Sequence, residues 1–104
     1  MGPFRVTIEH RDGTVLVRPS GELDLMTAPK LEHALDGLVG KHRVVLVDLS
    51  DVLFADCAGL RPIRQALEAG PENAANVRMF GARPRVERVL RLTGLPAAAR
   101  PSAV

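Results

Sequence analysis

Apolar and polar positions alternate in the first run of the chain, with Phe4, Val6 and Ile8 set against Arg5, Thr7 and Glu9. A period of two is that of a strand with one buried face. Asp12-Gly13, a strong hairpin-turn pair, separates this run from a second, Thr14–Arg18, so the two are expected to form an antiparallel hairpin. Pro19 is expected to end the second strand or to place its end at a sheet edge. Ser20-Gly21-Glu22-Leu23-Asp24 then reads as a connection. The period changes at Leu31, Ala34, Leu35 and Leu38, which share one face of a helix. Thr27 is expected to cap that helix through its hydroxyl. Pro29, in the first turn, removes only an amide that has no helical partner there. Gly40 is the expected stop.

Val44–Val47 is a continuous apolar run, as in a parallel strand covered on both faces. Val52, Leu53 and Phe54 form a second short extended piece that runs into Asp56 and Cys57. A helix follows, with Leu60, Ile63, Ala66 and Leu67 on one face and Arg61, Arg64 and Glu68 on others. Pro62 is expected to distort its first turn or displace its start, because a proline removes a backbone bond and restrains the residue before it. Gly70-Pro71 ends it. Val77–Phe80 is another strand, and Pro84 opens a third helix with Val86, Val89 and Leu90 on its apolar stripe. Gly94 sits where a left-handed terminating residue belongs, with apolar Leu95 after it. Residues 96–104, rich in Ala and Pro, read as a loosely held tail. The order predicts a single α/β domain over residues 1–104, with a mixed four- or five-stranded sheet and about three helices.

Composition narrows the chemistry. The chain has 104 residues with no Trp, no Tyr and three Phe, so its core must be aliphatic. The net charge of +2 is mostly carried by arginine and interspersed with acids, except in Arg78–Arg91. That stretch reads first as a solvated helix face and next as a contact for an acidic protein. No aromatic stacking residues accompany it, so nucleic acid is not an expected partner. One cysteine cannot form an internal disulfide. Met1–His10 has no apolar core of a signal peptide, and no run approaches the roughly 20 apolar residues of a membrane span. The expected location is the cytoplasm.

Candidate catalytic groups are sparse. His10, His33 and His42 stand in no local metal-ligand spacing, and no glycine-rich phosphate loop occurs. Asp48, Asp51 and Asp56 are close in sequence, but capping and turn bonds explain them. No enzyme, cofactor or metal site is expected. The entrance to the second helix remains. Open α/β sheets present functional groups at the carboxyl ends of strands, and a helix N-terminus offers free amides and positive potential. A hydroxyl placed there is a candidate for phosphorylation, which adds roughly −1.5 to −2 charges.

Asp48-Leu49-Ser50-Asp51-Val52-Leu53-Phe54-Ala55-Asp56-Cys57-Ala58-Gly59-Leu60 resembles the signature of the STAS domain of bacterial anti-sigma factor antagonists, approximately D-L-S-x-V-x-F-x-D-S-S-G-L. Ser20–Asp24 with Thr27-Ala28, and Pro84–Leu95 ending in Leu92-Thr93-Gly94-Leu95, resemble two further segments of that family. The match runs over about Val6 to Leu95. The resemblance implies a partner-switching regulator of transcription, in which the unphosphorylated antagonist binds an anti-sigma factor that is a serine kinase of the GHKL type. The kinase phosphorylates the first serine of D-S-S-G-L, and the antagonist lets go. Here that serine is replaced by Cys57 and the next by Ala58.

The resemblance therefore implies the fold and a binding surface, and does not carry the serine switch. The expected contact residues are Asp24, Thr27, Asp56, Cys57, Ala58, Gly59, Leu60 and Arg61. The expected partner is an anti-sigma factor, with a homodimer left open. Two other readings stand beside it. One is a STAS scaffold outside sigma control, in stress-signalling complexes or transport machinery. The other is a thiol sensor through Cys57, since a helix N-terminus with Arg61 or Arg64 nearby lowers a thiol pKa while Asp56 opposes that.

Overall fold

The computed structural model describes residues 3–38, 44–68 and 77–95. Within them lie β1 (Arg5–Arg11), β2 (Thr14–Leu23), α1 (Ala28–Asp36), β3 (Val44–Asp48), β4 (Val52–Ala55), α2 (Cys57–Glu68), β5 (Val77–Phe80) and α3 (Pro84–Leu92). The five strands form one mixed sheet in the order β1-β2-β3-β5, with β4 also beside β2. This is the expected α/β architecture. Gly40, His42, Gly70-Pro71 and the 96–104 tail lie outside the described residues.

β1 and β2 pair antiparallel, with Arg11 opposite Thr14. Asp12 and Gly13 between them take φ of 41° and 84°. Positive φ at both central residues matches the right-handed twist of the strands they join. β2 then serves two parallel partners in succession. Thr14–Val17 pair with Val44–Val47 of β3, and Gly21–Leu23 pair with β4. The sequence reading ended β2 at Pro19, but the strand runs on to Leu23. Pro19 falls at the changeover, where β2 has left β3 and not yet met β4, so its missing amide removes no bond from either parallel ladder. Gly21, at φ 109°, makes the accompanying irregularity, and its amide donates to the Asp51 carbonyl at 3.0 Å.

One cluster gathers Val15, Val17, Val45, Val47, Val77 and Met79 of the sheet with Leu31 and Leu35 of α1, Leu60, Ile63 and Ala66 of α2, and Val86 and Leu90 of α3. The buried faces of all three helices therefore meet the same side of the sheet. Alternation along β3 puts Leu46 on the other side, in a row with Leu16 and Arg78. Leu46 is nonetheless buried. The expectation that β3 is covered on both faces holds for its exposure, but among the described residues the helices lie on one face.

Three helix details differ from the sequence reading. Thr27 stands at the N-cap of α1 but makes no side-chain cap bond, for a reason that belongs to the site below. α1 closes at Gly37, one turn before Gly40, and Leu38 is buried beyond the helix end. α2 starts at Cys57 and continues through Pro62, which is buried inside it. The amide that Pro62 lacks would have served the Ala58 carbonyl, in a half-exposed first turn where water can replace it. α3 is as expected: Pro84 is in its first turn, Gly94 has φ 76°, and the Leu95 amide returns to the Leu90 carbonyl at 3.0 Å.

Two local devices fix the strand ends. The first is Asp48, at the end of β3. Its Oδ1 accepts from the Ser50 amide at 3.0 Å and its Oδ2 from Arg18 Nε at 3.1 Å. Burial pushes this carboxyl up, but the Ser50 amide and hydroxyl and the Arg18 guanidinium outweigh it and hold it below the usual carboxylate range. The second is Gly59. A Cβ there would overlap the Leu23 carbonyl and come within 2.8 Å of the Asp24 amide, so α2 rests directly on the end of β2.

Each device has a testable consequence. A carboxyl with a depressed folded pKa contributes stability above its unfolded pKa of about 3.9 and loses it as pH falls through the folded value. Asp48→Asn is therefore expected to cost about 1 kcal/mol at neutral pH. The deficit should shrink below about pH 4, read from urea midpoints against pH. Gly59→Ala is expected to cost about 3 kcal/mol in the same measurement, because backbone atoms cannot rotate away from the added methyl.

Candidate functional site

The expected contact residues come from two loops that are separate in sequence, Asp24–Thr27 after β2 and Asp56–Arg61 at the start of α2. The structure joins them through Leu23. The Leu23 carbonyl accepts from the Asp56 amide at 3.3 Å, and Gly59 packs against the Leu23–Asp24 peptide. Residues more than thirty positions apart thus present one surface.

Asp24 builds its own loop. Its Oδ1 accepts from the amides of Met26 at 2.9 Å and Thr27 at 3.1 Å. A short side chain bonding the backbone two and three residues on is what makes Asp a turn former. Thr27 closes the turn from the other side. Its hydroxyl donates to the Glu22 carbonyl at 2.7 Å and accepts from the Asp24 amide at 2.9 Å. The hydroxyl is spent on the loop, which is why it does not cap α1. Thr27 is half-buried and shapes the surface more than it forms it.

Asp56 caps α2, its Oδ1 accepting from the Gly59 amide at 2.8 Å. That satisfies one of the first-turn donors that have no helical acceptor. Cys57 is the first residue of α2, a free and exposed thiol. Ala58 is half-exposed and Arg61 exposed. Gly59 and Leu60 are buried, Leu60 at 1% exposure. They hold the helix in place and offer no area to a partner, which corrects their inclusion among the contact residues.

The sequence reading missed the apolar part of this surface. Leu25 is 67% exposed and Met26 84%, both in the turn that Asp24 organises. Leu53 of β4, 47% exposed, lines a depression of about 410 Å3 together with Phe4, Glu22, Asp24, Asp51 and Arg83. The signal was present in Asp24-Leu25-Met26-Thr27, where two large apolar residues occupy a tight turn that cannot bury them. Large side chains held in water beside polar groups mark contact sites more often than a scattered surface leucine does.

Other candidates find no support. Among the described residues no three His, Cys, Asp or Glu side chains group closely enough to hold a metal ion. Asp48 and Asp56 are parted by separate roles, Asp48 being turned toward Arg18 and Ser50 and Asp56 capping α2, and Asp51 is exposed. The arginines of α3 face outward, with Val86 and Leu90 buried beneath them, and Arg83 Nε donates to the Ser50 carbonyl at 2.9 Å. Among the described residues no helix is long and apolar enough to cross a membrane.

Comparison with known proteins agrees with this fold. The family model of the STAS domain matches residues 5–99. An anti-sigma-B factor antagonist of Staphylococcus epidermidis is 36% identical over 91 residues, 86% of this chain and 82% of the relative. That of Listeria monocytogenes is 34% identical over 77 residues, 73% of this chain and 68% of the relative. The crystal structure of an anti-sigma factor antagonist from Mycobacterium paratuberculosis superposes with a TM-score of 0.80 at 31% identity, over 91% of this chain and 85% of that one. With its mixed sheet, the three helices among the described residues and its strand-to-helix passage at Asp56 in place, the chain belongs to the STAS domain family.

Proposed function

We propose that this domain is an anti-sigma factor antagonist that binds its anti-sigma factor, a serine kinase, through the surface joining the Asp24 loop to the start of α2, and that binding there is not released by phosphorylation. The observation that carries the reading is that the Leu23 carbonyl bonds the Asp56 amide and abuts Gly59, which ties the turn of Asp24, Leu25 and Met26 to the α2 start with Asp56 and Cys57. It supplies exposed apolar area, fixed charge and a rigid backbone in one place. The similarity to proteins named anti-sigma factor antagonists supports the choice of partner. Cys57 supports the second clause, since it stands exposed where the family's accepting serine would be. A thiol is not an acceptor that serine kinases ordinarily use, and Ala58 has no acceptor.

The test is a pull-down of the cognate kinase with and without ATP. The parent protein is expected to stay bound in both. Cys57→Ser is expected to take up labelled phosphate and to leave the complex when ATP is added. Label on Cys57 itself, or ATP-driven release of the parent, would sink the proposal. The apolar contribution is tested separately. Met26→Glu should weaken kinase binding by at least about tenfold, as for a truncated anchor at an interface centre. Its unfolding midpoint should be unchanged, because the side chain touches nothing that folding needs.

A further inference from the structure

β1 is an edge strand. Its seven residues pair with β2 on one side, and no described strand lies on the other. Arg5, Thr7, Ile8, Glu9, His10 and Arg11 are all exposed. Edges of this kind expose unpaired amides and carbonyls and are ordinarily blunted by prolines, bulges or charge. β1 has no proline, and its pairing with β2 runs without a shift of register from Arg5 to Arg11. Its charges are not of one sign, as they would be to repel a second copy. They read Arg5, Glu9, Arg11, two residues or more apart on one face of the sheet.

We infer that β1 pairs antiparallel with β1 of a second copy about Thr7, making a continuous sheet across a homodimer. The register is chosen by charge. Centred on Thr7, each Arg5 lies opposite the partner's Glu9, and opposite charges directly across an antiparallel pair stabilise it. Centred on Ile8, Arg5 would face the partner's Arg11. Centred on Val6, Glu9 would face Pro3 and Arg5 would face Thr7. Arg5 makes no ion pair within the described residues. Glu9 already accepts from Arg11 at 2.8 Å, and the Arg11 bond holds its carboxyl below the usual range. A carboxylate has lone pairs for a second donor.

The opposite face of the same strand gives the second argument. The Thr7 register sets Val6 against the partner's Ile8. Ile8 is 43% exposed and lies in an open, mainly apolar groove of about 700 Å3 between β1 and α1, with Pro29, Lys30, His33 and Ala34 on its far wall. Two Val6–Ile8 pairs would fill the seam where the two copies' grooves meet. Arg5–Glu9 pairs would line the other face of the same seam. The dimer does not depend on the anti-sigma reading, since nothing in it uses the start of α2.

The experiment is sedimentation velocity across a concentration series, on the parent, Arg5→Glu, Glu9→Arg and the double variant Arg5→Glu/Glu9→Arg. The contact is smaller than a standard interface of roughly 1,200–2,000 Å2, so the series should reach about 0.5 mM. The parent is expected to dimerise. Each single swap should weaken the dimer by about tenfold, and the double swap should restore it. Circular dichroism checks that each variant is folded. A second arm keeps the native charges: Thr7→Cys in a Cys57→Ala background should oxidise to a disulfide-linked dimer faster than Ile8→Cys in the same background. Paired Cα atoms in such a ladder are about 4.5–5.5 Å apart, within disulfide reach. A parent that stays monomeric at the highest concentration overturns the inference. So does a dimer indifferent to the single swaps, a double swap that fails to restore it, or cross-linking no faster at Thr7 than at Ile8.

Discussion

The close approach of α2 to the end of β2 is the constraint on which the proposed binding end of this domain depends. Helix and strand usually keep a layer of side chains between them. Here Gly59 removes that layer at one point, and the helix rests on the Leu23–Asp24 peptide. The Leu23 carbonyl, at the last residue of β2, accepts from the Asp56 amide just before α2 begins. Asp56 can then cap the helix with its carboxylate while its backbone is held by the strand. The Asp24 loop and Cys57 acquire a fixed relation for the same reason. A surface arranged on elements held this way loses little conformational entropy when it meets a partner, which favours affinity without requiring a large area.

That frame is itself tied down at its base by Asp48 and Ser50. Leu49 donates to the Phe80 carbonyl and Arg83 to the Ser50 carbonyl, so the joint between β3 and β4 is bound to β5 and to the start of α3. Burying the Asp48 carboxylate is unfavourable on its own. It is tolerated because each of its oxygens has a donor, in Ser50 or in Arg18. The D-L-S segment is therefore structural. It holds β4 in line with the second half of β2, which in turn sets where Leu53 and Asp56 emerge.

Element types were legible in the chain because they are written as periods, about 3.6 for the described helices and two for β1, but the expected buried face of β1 is not there: it is an edge strand, and Ile8 is 43% exposed. Turn chemistry was legible too, in Asp12-Gly13 and in Gly94-Leu95. What the sequence did not show was which ladder each backbone group would join. Pro19 reads as a strand terminator in any local window, and only the changeover from β3 to β4 makes it harmless inside β2. Thr27 was recognised as a residue whose hydroxyl would bond the backbone. Its partners turned out to be the Glu22 carbonyl, to which it donates, and the Asp24 amide, from which it accepts, instead of an amide of α1. Gly59 and Leu60 were included among the contact residues because they follow Cys57 in the signature, although Leu60 also stands on the apolar stripe of α2; a helix turns each residue by about 100°, so neighbours in sequence divide between core and water. Leu25 and Met26 went unseen for the opposite reason: apolar residues are sought in the core, and a turn held by Asp24 leaves them outside it.

Under the proposed function, Cys57 at the first position of α2, where the family's accepting serine would stand, alters the shape of the surface little and its chemistry a great deal. A phosphate there would bring roughly −1.5 to −2 charges beside the carboxylates of Asp24 and Asp56. Like charges so placed, in water of high dielectric but within a Debye length of one another, would change the potential of the whole surface. Without that group no phosphate charge joins Asp24, Asp56 and Arg61 on this surface. Under the proposed function its affinity rests on fixed charge and on Leu25, Met26 and Leu53, none of which a serine kinase alters. Under the proposed function, regulation has to act on the amount of this protein, on the partner, or on the association of copies along β1, and not on the helix entrance itself.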